Sequence, residues 1–357
     1  MTVHHALDPA APAEVQLACD DLAPALTFFV DRLGFRVETI FPAEEPTVAS
    51  LSGHGLRLRL APGAGGAGVI RLACLEPGVD RTVTAPNGTV IEWVPADPPV
   101  HIPPLAPEFV LTRAADGPPP GLGRAGMTYR DLIPSRLGGR FVASHITIAD
   151  GGPVADWTHF HKVRFQMIFC ARGWVRVVYE DQGPPFVLNA GDCVLQPPRI
   201  RHRVLESSPG LEVVEIGCPA LHETRADHDM ALPTGLVLPA RDFDGQVFLR
   251  HIAAETPWAV EGDSGFERCD TGMTHATGGL ANAVVLRPAA AGALRVQPHA
   301  GELMFGFVVE GEATLNQAGA AHALARADAF VIPPGEPWSL ASPSPDLRLL
   351  RVTVEAR

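Results

Sequence analysis

Short apolar runs separated by polar turn sequences recur along residues 124–357. Runs such as WVRVVYED and LEVVEI are rich in the residue types that favour strands. The sequences EDQG and NAGD between such runs are typical of tight turns. Many short strands at regular spacing, without a helical period, predict a β-barrel or a β-sandwich.

The first block, from about residue 12 to 95, has a mixed pattern. In DDLAPALTFFVDRLGF, apolar residues recur near helical spacing at Leu22, Leu26, Phe29 and Leu33. Strand-like runs flank this segment: EVQLAC before it, then FRVETIF, TVASLSG and GLRLRLAP. The pattern predicts a β-α-β-β-β unit. The sequence VPADPPVHIPPLAPE follows the block and marks a linker, because its prolines forbid regular structure.

The two later blocks resemble each other. RDLIPSRLGGRFVASHITI (130–148) and CDTGMTHATGGLANAVVLR (269–287) each place a Gly-Gly pair before an apolar run. The spacing persists downstream, where His161, Gly173, Asp192 and Pro197 correspond to His299, Gly311, Asp328 and Pro333. A repeat of about 140 residues makes two barrels the economical interpretation. We expect domains at residues 1–100, 124–235 and 240–357.

Composition restricts the partner. The net charge of −12 disfavours nucleic acid and anionic membrane surfaces, since both require a basic face. A small molecule is the better expectation. The six cysteines show no close CxxC spacing, which indicates free thiols in a reducing compartment. Without an apolar leader or a long apolar run, the sequence predicts a cytoplasmic protein.

One stretch of the second block, WTHFHKVRFQMIFC, carries the candidate chemistry. Successive side chains on a strand alternate faces, so His159 and His161 would point the same way and form a chelate. Gln166 follows after a tight turn, and His202 comes after a predicted hairpin. Three imidazoles and one amide are four neutral ligands, a set suited to a first-row divalent ion.

These residues resemble the two signature motifs of the cupin superfamily of small β-barrels. The first motif is carried by Gly152, His159, His161, Gln166 and Gly173, with Gln166 where the family usually has glutamate. The second is carried by Gly191, Pro197 and His202. The resemblance implies that His159, His161, Gln166 and His202 bind one divalent transition metal per chain, with iron expected first and manganese, nickel, zinc or copper as alternatives. The competing interpretation is a metal-free barrel, as in many sugar-epimerising and storage members.

The third block lacks this ligand set. His299 aligns with His161, but Gln297, Met304 and Trp338 stand where His159, Gln166 and His202 stand. One histidine cannot hold a metal, so we expect a structural barrel, with a ligand pocket floored by Trp338 as the minor alternative.

The glutamine has a predicted electrostatic consequence. An amide ligand leaves the full +2 charge on the ion, which favours an anionic, bidentate guest such as an enolate, a hydroxy acid or a keto acid. It also removes an acid/base group. A base must then come from a neighbouring residue, for which Tyr179, Glu215 and His145 are the candidates. Arg164 and Arg203 are candidates to anchor a substrate carboxylate, with surface ion pairing as the alternative for both.

The first block resembles the vicinal-oxygen-chelate (glyoxalase and bleomycin-resistance) superfamily through LACDDLAPALTFFVDRLGF and APNGTVIEWVP. The positions that match the metal ligands of that family are Glu14 and Glu92. Two glutamates alone make a poor transition-metal site, so a structural or dimerising module is favoured over a second active site. Pairing of such modules would make the protein a homodimer.

The sequence therefore predicts a mainly β protein with two cupin barrels (double-stranded β-helix or jelly roll) and an N-terminal βαβββ module. The expected function is a metal-dependent dioxygenase acting on a small anionic keto, hydroxy or enol compound. A Lewis-acid isomerase or lyase using the same metal is the alternative. The rival outside enzymes is a small-ligand binding or sensing protein.

Overall fold

The structure is a computed structural model that describes residues 13–42, 46–63, 66–75, 81–116, 121–122, 126–262, 264–289, 294–296 and 298–356. The chain divides into two compact units, one ending at Pro99 and one starting at Val100. Across the described ranges, no helix has both the length and the apolar character needed to cross a membrane.

The N-terminal unit has the predicted order of elements. These are β1 (Val15–Ala18), α1 (Leu22–Thr27), a π-helical turn (Phe28–Arg32), β2 (Arg36–Phe41), β3 (Val48–Gly53), β4 (Leu56–Ala61), β5 (Val69–Cys74), β6 (Arg81–Thr84) and β7 (Val90–Pro95). The strands form two sheets in the orders β1-β4-β3-β2 and β5-β7-β6. Phe28 and Phe29 of the π-helical turn are both buried, and their rings meet edge to face.

The two acidic candidates of this unit are engaged with arginines. Glu14 lies 3.5 Å from Arg57 Nε and accepts a hydrogen bond from Ser50 Oγ at 3.1 Å. Glu92, on β7, pairs with Arg71 across the strand at 3.2 Å. These ion pairs fit a structural part for both glutamates. Dimerisation through this unit stays a prediction.

The second unit starts without regular structure and then forms the first barrel. Its strands are β8 (Val110–Thr112), β9 (Gly121–Leu122), β10 (Thr128–Asp131), β11 (Val142–Ile148), β12 (Gly152–Pro153), β13 (His159–His161), β14 (Phe165–Arg172), β15 (Trp174–Tyr179), β16 (Phe186–Asn189), β17 (Cys193–Leu195), β18 (His202–Ser207), β19 (Leu211–Cys218) and β20 (Thr224–Ala226). One sheet has the order β17-β14-β19-β11-β10-β9, and the facing sheet has the order β16-β15-β18-β13-β20.

The remaining elements lead into the second barrel and form it. They are β21 (Asp242–Phe243), β22 (Gln246–Val247), β23 (Leu249–His251), a 3₁₀ turn (Ala253–Glu255), β24 (Trp258–Val260), β25 (Phe266–Asp270), α2 (Met273–Ala276), β26 (Ala281–Pro288), β27 (Leu294–Val296), β28 (Leu303–Glu310), β29 (Ala313–Gln317), β30 (Ala320–Leu324), β31 (Ala329–Val331), β32 (Trp338–Ala341) and β33 (Arg348–Val354). The sheets β24-β25-β26-β33-β28-β31 and β27-β32-β29-β30 face each other. The predicted mainly β fold with two barrels is confirmed.

Each barrel completes its larger sheet with a strand from outside its own sequence block. β23 pairs with β17 of the first barrel, and β8 pairs with β31 of the second. The repeated turn aspartates hold these added strands: Asp192 Oδ1 accepts from Ala253 N and Asp328 Oδ1 accepts from Ala114 N, each at 2.8 Å. The domain limits 124–235 and 240–357 stay a prediction, and hydrogen-bonded strands cross them.

The larger sheets of the two barrels pack against each other through a shared apolar core. It includes Phe141, Phe165 and Phe169 from the first barrel and Phe305 and Phe307 from the second, all nearly inaccessible. Burial of aromatic side chains on this scale is the main favourable term in such packing. The two barrels therefore form one cohesive body.

Candidate metal centre

The short strand β13 presents the histidine pair to the interior of the first barrel. His159 and His161 are buried, while Phe160 between them faces outward under the guanidinium of Arg201, 4.3 Å from its ring centre. The alternation of a strand thus accounts for the His-x-His spacing. The cation–π contact between Arg201 and Phe160 covers the outward face of β13.

His202 begins β18 and lies directly opposite His159 on β13. The turn that leads to it includes Arg199 at φ +65°, a left-handed conformation that favours glycine. Arg199 N also donates to the carbonyl oxygen of His161 at 2.9 Å, which joins the turn to the histidine strand. The antiparallel pairing of β13 with β18 therefore brings the two motifs together, although they lie apart in sequence.

The three imidazoles converge. The ring centres of His159 and His202 are 4.2 Å apart, and His161 lies 5.3 and 5.4 Å from the two. Their ligand atoms all lie within 4.8 Å of one another, and among the described residues this is the one such group of three or more His, Cys, Asp or Glu side chains. The predicted histidine triad is thus assembled and can hold a metal ion.

Hydrogen bonds fix the tautomer of each ring. Nδ1 of His159, His161 and His202 lies 2.8, 3.2 and 3.0 Å from the carbonyl oxygens of Trp157, Glu223 and Ile200, respectively. A carbonyl oxygen only accepts, so each Nδ1 carries a proton, and in the neutral ring Nε2 has the lone pair that a metal would bind. Backbone partners of this kind orient imidazole ligands and raise their basicity.

Gln166 is the fourth member and is held by a carboxylate. It lies on β14, is 2% exposed, and donates from Nε2 to Glu215 Oε1 at 2.6 Å. Because a carboxylate accepts and does not donate, this bond identifies the amide nitrogen and leaves the amide oxygen as the donor atom for a metal. Gln166 thus takes the place of the glutamate that is usual in the cupin motif, and the Glu215 carboxylate holds its amide group.

Tyr179 contributes a hydroxyl group on the other side of His202. Its ring stacks on that imidazole at 5.6 Å between centres, and its hydroxyl accepts a hydrogen bond from Gln196 Nε2 at 2.9 Å. Burial raises the pKa of Tyr179; the hydrogen bond from Gln196 opposes this, and the nearby Glu215 carboxylate adds a smaller upward effect. The phenol therefore stays protonated at neutral pH.

A cavity of about 90 Å³ lies inside the barrel next to these groups. The triad, Gln166, Glu215, Tyr179 and Gln196 line one part of it. Aliphatic side chains line the rest, including Ile146, Ile148, Val175, Val177, Leu188, Leu211 and Val213. The candidate metal site therefore faces a cavity with largely aliphatic walls, and such surroundings of low polarity strengthen electrostatic interactions.

A second, more polar cavity of about 280 Å³ adjoins the first and shares Tyr129, His161 and Glu215 with it. We call it the vestibule. Ser144 lies on one wall, and the segment after β19 supplies His222 and Thr224 on the other. The His222 ring centre is 5.2 Å from that of His161. Sequence reasoning missed His222, because it lies outside both motifs and in no repeated pattern.

Two predicted residues, Arg164 and His145, lie away from the cavity. Arg164 points to the second barrel, where its Nη1 donates to Glu302 Oε2 at 2.6 Å, and Arg140 binds the same carboxylate. Glu302 lies buried between them, and although burial opposes its ionisation, bonds from Arg140 and Arg164 lower its pKa. The prediction that Arg164 anchors a substrate is therefore corrected: its guanidinium joins the two barrels instead.

His145 also faces the second barrel and not the cavity. Its Nε2 lies 3.0 Å from Glu212 Oε2, and its ring contacts Phe307 at 5.5 Å between centres. His145 is thus part of the interface between the barrels, and its candidacy as a base is not supported. Arg203 is exposed and is among the lining residues of the inner cavity. Of the two candidate arginines, it is the one near the site.

The second barrel fills the corresponding space. Met304 and Trp338, at the places of Gln166 and His202, are 1% and 3% exposed in an apolar core with Phe330, whose ring meets Trp338 edge to face. His299 Nε2 lies 2.8 Å from the carbonyl oxygen of Ile332. Gln297 lies outside the described residues. These contacts fit the expected structural part of this barrel.

The donor set of the first barrel suits a first-row divalent metal. Three imidazole nitrogens with fixed tautomers and one amide oxygen are neutral, borderline donors that converge on one point, which is the chemistry such ions prefer. A neutral set of four also leaves coordination positions for an exogenous ligand on an octahedral ion. The residues present therefore fit the metal that the cupin resemblance implies.

No protein-family model matches this chain, and no curated protein sequence matches it. Solved structures match through their fold. Protein Ylba from E. coli aligns at TM-score 0.54 and 12% identity, over 71% of this chain and 93% of its own. Salicylate 1,2-dioxygenase from Pseudaminobacter salicylatoxidans aligns at TM-score 0.51 and 17% identity, over 71% and 86%.

Oxalate decarboxylase from Bacillus subtilis, a protein described with Mn(II) centres, aligns at TM-score 0.51 and 12% identity, over 72% of this chain and 79% of its own. At these identities the likeness shows the fold: the second unit consists of two cupin-type barrels.

Proposed function

We propose that this chain is a metal-dependent enzyme of the cupin type, and that it catalyses O₂-dependent oxygenation of a small keto, hydroxy or enol compound. The observation that carries the proposal is the buried triad of His159, His161 and His202 with every Nδ1 bonded to a backbone carbonyl. A bound divalent iron ion would supply Lewis acidity and a route for electrons between the substrate and O₂.

The neutral ligand set supports an anionic substrate head. No protein carboxylate occupies the fourth position, so the charge of the ion remains available to oxygens of the substrate. Glu215 keeps the Gln166 amide in one orientation through their 2.6 Å bond. Such support of a ligand by a neighbouring group tunes both affinity and reactivity. The proposal assigns Glu215 this positioning part.

Tyr179 supports binding of the developing charge on the substrate. Tyr179 lines the inner cavity, and burial raises its pKa, so the phenol keeps a proton that it can donate to a substrate oxygen in a hydrogen bond. Donors that are fixed in place before reaction stabilise charge more effectively than mobile water. Gln196 fixes this donor by binding the phenol oxygen.

A Lewis-acid isomerase or lyase is the second candidate, and one observation favours it. Glu215 and Tyr179 line the same cavity beside the triad. Ketonisation of an enol requires one group that accepts a proton and one that donates a hydrogen bond or a proton. This pair of side chains meets that requirement without oxygen.

Oxygen consumption separates the two candidates. Full-length protein loaded with Fe(II) is offered a panel of α-keto acids, α-hydroxy acids and enolisable diketones, and O₂ uptake and substrate loss are followed together. Stoichiometric uptake supports dioxygenation. Substrate loss without uptake favours the isomerase or lyase, and the absence of turnover with any of iron, manganese, nickel, zinc or copper contradicts an enzymatic function for this panel. His161→Ala serves as the inactive control.

A further inference from the structure

The interior of the first barrel is divided along its axis into a polar and an apolar layer. In the strand register, Ser144 on β11 lies opposite Glu215 on β19, and Ile168 on β14 lies on the other side of Glu215. Two residues further along β11 and β19, Ile146 lies opposite Val213. Because alternate residues face the same side, the inward positions of β11 and β19 change from polar to aliphatic within one row, while Ile168 adds aliphatic lining from β14.

The facing sheet follows the same division. Its histidines lie at the level of the polar row, whereas Val175, Val177, Leu188 and Val204 line the inner cavity beyond them. We call this aliphatic part the inner chamber. The whole inner cavity, of which the chamber is part, has a volume of about 90 Å³, which is room for about three waters at roughly 30 Å³ each. A compact alkyl or aryl group is of this size, and water in such surroundings would lack partners.

Charge distribution limits what the inner chamber can hold. Among the described residues that line the inner cavity, Arg203 is the one arginine and no lysine is present, and Glu215 contributes a negative charge. Arg203 is exposed to solvent, and exposed charges form only weak ion pairs. A carboxylate placed in the chamber would lose its hydration without gaining a buried partner. The walls therefore select an uncharged group.

Further polar groups adjoin the triad in the vestibule. Ser144, His222 and Thr224 line the vestibule, which contacts the triad through His161. His222 Nδ1 donates to the carbonyl oxygen of Pro219 at 2.9 Å, which fixes the ring in the wall. Hydroxyl and imidazole groups at this position can bind oxygens of a guest that is held at the triad.

We infer that the substrate is an oxygen chelator with an uncharged apolar substituent, which extends into the inner chamber while the polar head faces the vestibule. This rests on the proposed function, and it assigns the anionic charge of the substrate to its chelating oxygens and not to a remote carboxylate. The aliphatic row of the barrel then sets specificity. It selects substituents by size, through apolar area removed from water.

Binding of hydroxamates to the full-length protein loaded with Zn(II) tests the inference without turnover. Acetohydroxamate, butyrohydroxamate and hexanohydroxamate differ only in chain length, and the monohydroxamate of succinate adds a terminal carboxylate. Calorimetric titration should show affinity rising by roughly four-fold per added methylene until the chamber is full. The succinate derivative should bind at least ten-fold more weakly than butyrohydroxamate.

Two variants of one wall residue sharpen the test. Val213→Ala enlarges the chamber and should move the optimum to longer chains, and Val213→Phe shortens it and should remove the gain beyond acetohydroxamate. The matched control is Leu349→Ala, because Leu349 on β33 of the second barrel lies opposite Leu286 as Val213 lies opposite Ile146. This control should leave the chain-length profile unchanged.

The outcomes distinguish the inference from its premise. Binding of acetohydroxamate with affinities that do not change with chain length would overturn the apolar chamber and leave the metal centre standing. Tighter binding of the succinate derivative would overturn it in favour of a remote anionic group. A wild-type protein that retains no Zn(II) would overturn the proposed function, and the inference with it.

Discussion

The two barrels share one strand plan and differ in what occupies their interiors. In the first, Gln166 and Glu215 face a cavity, with an aliphatic residue, Ile168, opposite the acid. In the second, the corresponding register places Gly306 opposite Arg351. A Cβ at Gly306 would come within 2.3 Å of the Phe330 ring, so this glycine makes room for an aromatic plug.

The difference shows that turns and strand pairings specify the barrel, whereas a few inward positions decide between a site and a core. Gly173 and Gly311 hold equivalent turns at φ +75° and +76°, and a side chain at either would meet a serine hydroxyl oxygen. Arg351, at the place of Glu215, is neutralised by Glu261 at 2.8 Å. A buried charge without such a partner would be costly.

The largest expected effect separates the barrels by metal affinity. His161→Ala removes one of three imidazoles and should lower the affinity for Zn(II) or Fe(II) by at least about 100-fold. His299→Ala, the equivalent substitution in the second barrel, should leave affinity unchanged. Competition titration with a chromophoric chelator measures both. Equal losses in the two variants would contradict the assignment of the site to the first barrel.

The plug of the second barrel should matter for stability and not for metal. Trp338→Ala empties a 3% exposed position in a packed core, and should lower the free energy of unfolding by about 3–5 kcal/mol. Chemical denaturation measures the change, and elemental analysis of the folded variant should show unaltered metal content. Loss of metal together with a small stability change would make Trp338 part of a ligand site instead.

The contact between Glu215 and Gln166 predicts a loss of metal affinity that is smaller than the loss expected for His161→Ala. Glu215→Ala removes the acceptor that orients the amide, and should weaken metal affinity by about 10- to 100-fold without abolishing binding. Glu206→Ala is the matched control on β18, because that glutamate is partly exposed and pairs with Arg176. Unchanged affinity in Glu215→Ala would show that the amide is not a ligand.

The interface between the barrels predicts the smallest effect, and it depends on pH. Burial of Glu212 opposes its ionisation, but hydrogen bonds from His145 and Arg326 outweigh burial and lower its pKa to about 2. The contribution of ionised Glu212 to the free energy of unfolding should be complete at pH values above the unfolded pKa of about 4.5. It should disappear as the pH falls through about 2.

Glu212→Gln should therefore lower the free energy of unfolding by about 1–3 kcal/mol at pH 7. The difference in the free energy of unfolding between the variant and the wild type should be smaller when denaturation is measured at pH 3. A gap that stays constant between pH 7 and pH 3 would contradict the ion-pair account and indicate a packing effect.

Much of the fold and the candidate histidine pair were predictable from local patterns, whereas the resemblance to the cupin motifs implied the full set of candidate ligands. The His-x-His alternation needs only the two-residue period of a strand, and the paired glycine and aspartate turns reveal the duplication. The N-terminal order of elements followed from helical spacing at Leu22 to Leu33. These features depend on residues close in sequence, where propensity and periodicity carry the information.

The rest depends on contacts between distant segments. Arg164 lies beside the ligands in sequence, yet its partner Glu302 is 138 residues away, on the other barrel. His222 reaches the vestibule only because the chain returns to β13 through β20. The bond from Gln166 to Glu215 joins neighbouring strands that are 49 residues apart. Such pairings are set by tertiary packing and leave no periodic trace.

Anomalous diffraction from crystals of the metal-loaded, full-length protein tests the central claim most directly. Data collected above and below the absorption edge of the ion should show a single peak per chain, bounded by His159, His161 and His202 and adjacent to the Gln166 amide oxygen. A peak in the second barrel, a peak between Glu14 and Glu92, or no peak in the first barrel would contradict the account.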